Sequence, residues 1–278
     1  MKTLFFAMIL FFSAALSAAP VKLVSLSPAV SDAIVLIGGK AALAGRSSAC
    51  NAPEISAVPI AGVMGRPEVE RVIKLQPDFV VSDTMYPGNH WQVLERAKIK
   101  VIFLPGEKIS DFPANLRYLG KLLKLEKSAQ TAAENFEQQI AALKKNPPAR
   151  QVQALIIFGV SPAISCSKKS FITEALTLAG VQNICADGKR AYFAVSSEYI
   201  LRHNPELIIS AGVPEAAVKS FFARAEFRHL KAVKQRRIIS IDPDRFCRAG
   251  KNLPQAINAL RQQIQQIYSP GAADLPSR

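Results

Sequence analysis

Few residues in this 278-residue chain are of the kind that break bonds, and they are not grouped for it. Its three histidines, His90, His203 and His229, are far apart and show no i, i+4 spacing, which argues against a site for a bare zinc or manganese ion. The four cysteines, Cys50, Cys166, Cys185 and Cys247, lack the C-x-x-C pairing of a structural metal site. In an oxidising compartment one disulfide within the C-terminal half is the expectation, with its partners left open. No G-x-S-x-G, G-x-G-x-x-G, Walker loop or H-E-x-x-H occurs. An exported hydrolase without a recognisable motif is the rival class, and no feature favours it. Binding chemistry is better represented. Arg46, Arg66, Lys168, Lys169, Arg190, Arg245, Arg248 and Lys251 fall in predicted loops, where several converging would attract carboxylate, phosphate or catecholate groups. Tyr86, Trp91, Tyr192 and Phe193 are candidates for packing on a large flat ligand, and Cys166 lies near Ser161-Pro162 in another such loop.

The elements that must position these side chains read as alternating strands and helices. Apolar runs at 23–26, 79–81, 101–104, 155–158, 207–209 and 238–241 suit buried parallel strands. Helical patterns lie between them at 68–75, 115–123, 171–178 and 253–267. This alternation predicts an α/β fold with parallel sheets, whose ligands bind beyond the carboxyl ends of the strands. Those ends carry Ser27-Pro28 and the loops 83–88, 161–169 and 242–251.

The chain also repeats itself. ERVIKLQPDFVVS at 70–82 matches EYILRHNPELIIS at 198–210, an offset of 128. VKLVSLSP at 21–28 echoes ALIIFGVSP at 154–162, and IKVIFLP at 99–105 echoes RIISIDP at 237–243. Three echoes in one order predict two Rossmann-like lobes of similar topology. Between them, residues 126–146 contain no Gly or Pro and align Ala129, Ala133, Phe136, Ile140 and Leu143 on one face. Acids lead and Lys144-Lys145 close this segment before Pro147-Pro148 stops it, so a single long α-helix is expected to join the lobes. The expected organisation is a signal peptide at 1–18, an N-terminal lobe at 19–125, the linking helix at 126–146 and a C-terminal lobe at 147–278.

The leader rests on Lys2, an apolar run at 4–16 interrupted by Ser13, and the small residues Ser17, Ala18 and Ala19. That run is shorter than the roughly 20 apolar residues of a spanning helix. No cysteine lies near the cleavage site, so a periplasmic protein without a lipid anchor is expected. The net charge of +14 raises nucleic acid as a partner, but export removes the chain from it and the basic residues are scattered. An anionic ligand or anionic membrane surface fits better, and a solvated basic surface with no partner fits equally well.

With these marks the chain resembles the helical-backbone substrate-binding proteins of ABC importers, which carry cobalamin, ferric siderophores or haem to a membrane permease. The resemblance runs through LSPAVSDAIVLIG (26–38), SACNAP (48–53), EVERVIKLQPDFVV (68–81), SFITEALTLAGVQNI (170–184) and VSSEYILRHNPELII (195–209). Cys50-Asn51-Ala52-Pro53 is similar to a Cys-Asp/Asn-Tyr-Pro element of cobalamin-binding members, with Ala52 in place of Tyr. Asp244-Arg245-Phe246-Cys247-Arg248 resembles their Asp-Trp-Phe-Glu-Arg stretch, whose Asp and Arg lie at the ligand. The resemblance therefore implies ligand-binding roles for Asp244 and Arg248, and it puts Met64 and Asp83 where aromatic residues pack on the corrin. Residues and resemblance together nominate Ser27, Pro28, Cys50, Met64, Asp83, Tyr86, Cys166, Tyr192, Asp244 and Arg248 for the ligand. Glu70 and Glu198, equivalent in the repeat, are implied to dock on arginines of a permease dimer in the inner membrane. The expected protein is a monomer with no catalytic residue, no resident metal and no cofactor. Its cargo is a small-molecule metal chelate, a corrinoid first and a ferric siderophore or haem as the alternative.

Overall fold

The computed structural model describes residues 21–269, so the expected leader lies outside the described residues. The N-terminal lobe is built on strands β1 (Leu23–Ser25), β2 (Leu43–Ser47), β3 (Ile60–Val63), β4 (Arg66–Pro67), β5 (Phe79–Ser82) and β6 (Lys100–Phe103). They form one sheet in the order β4-β3-β2-β1-β5-β6. Helices α1 (Pro28–Leu36), α2 (Val69–Leu75), α3 (His90–Arg96) and α4 (Asp111–Leu123) cover it. Then α5 (Glu126–Lys145), 20 residues and about 30 Å long, crosses to the other lobe.

The C-terminal lobe starts with β7 (Val152–Ile157), β8 (Gly159–Val160), β9 (Ala163–Cys166), α6 (Phe171–Leu178) and β10 (Val181–Asn183). It continues through β11 (Tyr192–Ala194), α7 (Ser197–His203), β12 (Leu207–Ala211), α8 (Glu215–Phe222), α9 (Lys231–Lys234), β13 (Ile238–Ile241), α10 (Pro243–Phe246) and α11 (Leu253–Tyr268). Its main sheet runs β10-β7-β12-β13, all parallel. The two sheets share one plan, since β1-β5-β6 corresponds to β7-β12-β13 in order and direction.

The repeated motif has a structural cause. In each lobe a short helix ends on a left-handed residue followed by proline, Gln76 (φ 48°) before Pro77 and Asn204 (φ 42°) before Pro205. A residue preceding proline is excluded from the helical region, so the helix must stop there and hand over to β5 or β12. The 99–105 and 237–243 echo likewise falls on equivalent strands, β6 and β13. The remaining echo breaks down after its strand. Ser27 caps α1, whereas Ser161-Pro162 forms the two-residue turn between antiparallel β8 and β9. Parallel pairing is thus incomplete: β3–β4 is antiparallel, and β11-β9-β8 forms a separate antiparallel sheet.

Strand residues alternate between two packed faces. Leu23 and Phe79 look into the main core, while their neighbours Val24 and Val80 join a cluster under α2 and α3 with Val72, Trp91 and Leu94. The same alternation in β12 sends Leu207 and Ile209 to the main core and Ile208 to an outer cluster. That main core is common to both lobes. It passes through the buried stripe of α5, Ala129, Ala133, Phe136, Ile140 and Leu143, which are the residues aligned on one face by the sequence. Phe136 meets Phe112 of α4 edge-on at 4.8 Å between ring centroids. A Cβ on Gly120 would run into Ala129, so the close approach of α4 to α5 requires glycine there.

The far end of α5 is held by Arg261 of α11. Its guanidinium donates to the carbonyls of Leu143 (2.8 Å) and Asn146 (2.8 Å) at the end of α5, and of Leu178 (2.6 Å) at the end of α6. These are carbonyls that a helix C-terminus leaves without partners. Arg261→Met is expected to lower unfolding stability by about 2–4 kcal/mol, since the charged donor is lost while the carbonyls stay partly buried. Urea denaturation of the purified variant checks this, and a change under about 0.5 kcal/mol would show the clamp to be incidental.

Candidate functional site

Strands β1, β5 and β6 all run toward one cavity, and β13 reaches it from the other lobe. It measures about 290 Å³ and lies between the lobes. The N-terminal lobe contributes Ser27, Pro28, Met64, Asp83, the turn Leu104-Pro105-Gly106, and Phe112 and Asn115 of α4. Across it stand Phe171, Pro243, Asp244, Cys247 and Arg248. Ser27 caps α1, its Oγ accepting from the Val30 amide at 3.4 Å, and the positive end of that helix faces the cavity. Six of the ten nominated ligand residues are therefore brought together: Ser27, Pro28, Met64, Asp83, Asp244 and Arg248.

The other four lie outside the lining. Cys50 is buried in the N-terminal core, its Sγ 3.1 Å from Ser31 Oγ and 3.2 Å from Ser47 Oγ. Cys166 is buried at the end of β9, 3.7 Å from Thr173 Oγ1. Tyr86 is half exposed on its loop, where its carbonyl accepts from Trp91 Nε1 at 2.9 Å, and Trp91 itself belongs to the core. Tyr192 stands exposed on β11, with its hydroxyl 3.2 Å from Ser170 Oγ and its ring edge-on to Phe158 at 5.5 Å.

The expected disulfide does not form, and all four cysteines are free thiols. Cys50 and Cys166 have hydroxyl neighbours of their own, and Cys185 is enclosed in the outer cluster of the C-terminal lobe. Burial pushes the Cys166 and Cys247 thiols up to about 12, so both stay protonated at neutral pH and neither offers a resting thiolate. Among the described residues no cluster of His, Cys, Asp and Glu has the grouping of a metal site.

A polar network closes the cavity on one side and joins the lobes. Arg248 Nη2 lies 2.6 Å from Asp244 Oδ1 within the C-terminal lobe. Its Nη1 reaches across to Asn51 Oδ1 at 3.2 Å and Asp32 Oδ2 at 3.7 Å. Asn51 returns a hydrogen bond to Asp244 Oδ2 at 3.0 Å. Sequence reasoning named Asp244 and Arg248 but missed their partners. Asn51 stands beside Cys50 in the Cys-Asn-Ala-Pro element, and Asp32 follows Pro28 by about one helical turn, so both positions were within the quoted motifs. Phe112, Phe171 and Cys247 were missed as lining because they are packed in or against the core, and only the meeting of the lobes turns them toward the cavity.

Burial raises the carboxyl pKa of Asp32, with Arg248 and Lys251 opposing the shift. It also raises that of Asp83, opposed by hydrogen bonds from Ser27 and Thr84. For an acid whose folded pKa lies above its unfolded one, the folded state binds more protons between the two values, so stability falls as pH rises through that window. Asp83→Asn removes the buried charge. Its stability gain over the wild type should be largest at neutral pH and close as pH falls through the raised value toward the ordinary 3.8. Denaturation curves of both proteins over that range test this, and a pH-independent difference would contradict it.

Comparison with known proteins agrees with this architecture. A vitamin B12-binding protein of Pectobacterium carotovorum subsp. carotovorum (strain PC1) is 29% identical over 213 residues, covering 74% of this chain and 73% of that one. The crystal structure of a periplasmic vitamin B12-binding protein of Vibrio cholerae superposes with a TM-score of 0.77 at 19% identity, over 90% of this chain and 98% of that one. A periplasmic heme-binding protein of the same organism gives 0.77 at 20% identity, over 88% and 98%. These structural likenesses speak for the two-lobed fold. The family model described as periplasmic binding protein matches residues 23–245, and the chain belongs to that family.

Proposed function

We propose that this protein captures a corrinoid between its lobes in the periplasm and, as a monomer, delivers it to the permease dimer of an ABC importer in the inner membrane. Belonging to a family of binding proteins, it is not an enzyme. The observation that carries the reading is the cavity at the facing strand ends, closed by Arg248 reaching Asp32 and Asn51 of the opposite lobe. Relatives named as vitamin B12-binding proteins support a corrinoid as cargo.

At about 290 Å³ the cavity lies at the low end of the ~300–1,000 Å³ typical of small-molecule sites. A corrin with its side chains needs more room, so the lobes must part and the Arg248 contacts across the cleft must break on entry. Arg248 and Asp244 are then free to bond the amide or phosphate groups of the cargo, while Met64, Phe112 and Phe171 supply apolar walls. Asp83 takes part as a half-buried polar group.

Delivery rests on Glu70 and Glu198, both exposed and both in the first turn of their helices, α2 and α7. Each helix leads into a parallel strand that runs toward the cavity, so its first turn lies at the cleft end of its lobe. One acid per lobe at equivalent places suits a two-fold symmetric partner with basic sockets.

Calorimetric titration with cyanocobalamin, cobinamide, haemin and a panel of ferric siderophores tests the cargo. One-to-one corrinoid binding is expected, weakened on the order of 10- to 100-fold by Arg248→Ala. Binding only to an anionic ferric chelate would move the cargo to iron, and binding to none would remove the reading. For delivery, Glu70→Lys combined with Glu198→Lys should abolish permease-dependent uptake while leaving cargo affinity unchanged. Intact uptake would exclude these acids from docking.

A further inference from the structure

Because the strands of both lobes run toward the cavity, their starting ends and the last turns of the intervening helices form the two far poles of the molecule. The pole of the N-terminal lobe is basic. Lys22 precedes β1, Lys40 precedes β2, and Lys98 and Lys100 open β6. Lys121 lies in the last turn of α4 and Lys124 is its C-cap. All six side chains are exposed, and none forms an ion pair among the described residues.

They share one end of the lobe. The Lys100 amide bonds the Asp78 carbonyl at 3.3 Å, and the Asp78 carboxylate accepts the Lys22 amide at 2.8 Å. On the other side of the sheet, Gly39 beside Lys40 packs so tightly on Leu123 that a Cβ there would come within 2.7 Å of it. The acids that adjoin these lysines by contact or in sequence are Asp78, Glu95 and Glu126, half as many.

Helix polarity accounts for Lys121 and Lys124, which complement the negative end of α4. It also reaches Lys98, just beyond the end of α3, but it does not account for Lys22 or Lys100, because strands carry almost no net dipole. All six are lysines, hydrated point charges without the forked geometry that selects one carboxylate or phosphate. They also come from three strand starts and one helix end, so they suit an extended anionic surface better than a single anion. In a periplasmic binding protein the extended anionic surface within reach is a membrane, and clusters of about four to eight Lys and Arg are enough to hold a protein on anionic lipid.

We propose that this pole of the N-terminal lobe docks on anionic phospholipid headgroups. The contact is independent of the cargo. Glu70 and Glu198 lie at the cleft end, so pole contact and permease docking are successive states, the first confining the receptor to the membrane plane where its permease resides.

Co-sedimentation with vesicles tests this without permease or cargo, so its failure is separate from failure of the transport reading. The protein should pellet with phosphatidylcholine vesicles containing phosphatidylglycerol, not with phosphatidylcholine alone, and should be released by added salt. Combined Lys40→Gln, Lys121→Gln and Lys124→Gln should lower partitioning on the order of 10- to 100-fold. The control variant with Lys108→Gln, Lys145→Gln and Lys219→Gln loses the same charge elsewhere and should partition nearly as the wild type. Equal loss in both variants would reduce the effect to net charge and overturn the proposal. So would binding to neutral vesicles, or none to anionic vesicles at low salt.

Discussion

Everything at the cleft depends on the apolar stripe of α5. A helix of this length joining two lobes would be an exposed rod if its sides were polar all round. Instead Ala129, Ala133, Phe136, Ile140 and Leu143 carry one hydrophobic core from the first sheet to the second. Small residues at its beginning let α4 approach, and larger ones further along fill the space under α11 and α6. Burying an aromatic or aliphatic side chain of this size contributes roughly 1.5–3 kcal/mol, so the stripe outweighs any single polar contact between the lobes. It therefore sets the distance at which Asp32 and Asn51 face Asp244 and Arg248.

The polar network across the cleft is weaker and of a different kind. Asp244 is half exposed, and Arg248 and Asp32 keep about a fifth of their side-chain surface in solvent. For a pair as buried as Arg248 and Asp32 the cost of desolvation offsets much of the attraction. Burial raises the pKa of Asp32, which means its charge is held at a cost that Arg248 and Lys251 only partly offset. Such a network closes the cleft without locking it. A ligand that supplies better partners to Arg248 can displace it.

The architecture was legible because it rests on local rules. The apolar runs gave β1, β5, β6, β7, β12 and β13 to within a few residues, and the proline after each short helix marked the duplicated unit. The stripe of α5 could be read from spacing alone. The antiparallel sheet β11-β9-β8 could not, since Ser161-Pro162 looked like the helix-opening Ser27-Pro28, and only the pairing of Gly159 with Ile164 distinguishes a hairpin from a strand-to-helix turn. The cavity lining was legible where a loop follows a strand, as at Ser27, Asp83, Asp244 and Arg248. It failed for Cys50 and Cys166, which sit within such stretches but turn inward. It also failed for Asp32, Phe112 and Phe171, which meet at the cleft only because helices from opposite lobes converge, and no local pattern records that.

The shared core has a further consequence for traffic at the permease. A receptor hinged on one helix, with its hydrophobic interior continuous across the hinge, would open its cleft only by a limited swing of the lobes. On the proposed docking, Glu70 and Glu198, one on each lobe, would then present nearly the same two-point footprint whether or not cargo is bound. An empty receptor would be a competitive inhibitor of its own loaded form. Import would then saturate with the ratio of loaded to empty protein rather than with the amount of cargo, and overproducing the receptor at scarce cargo would slow uptake instead of raising it.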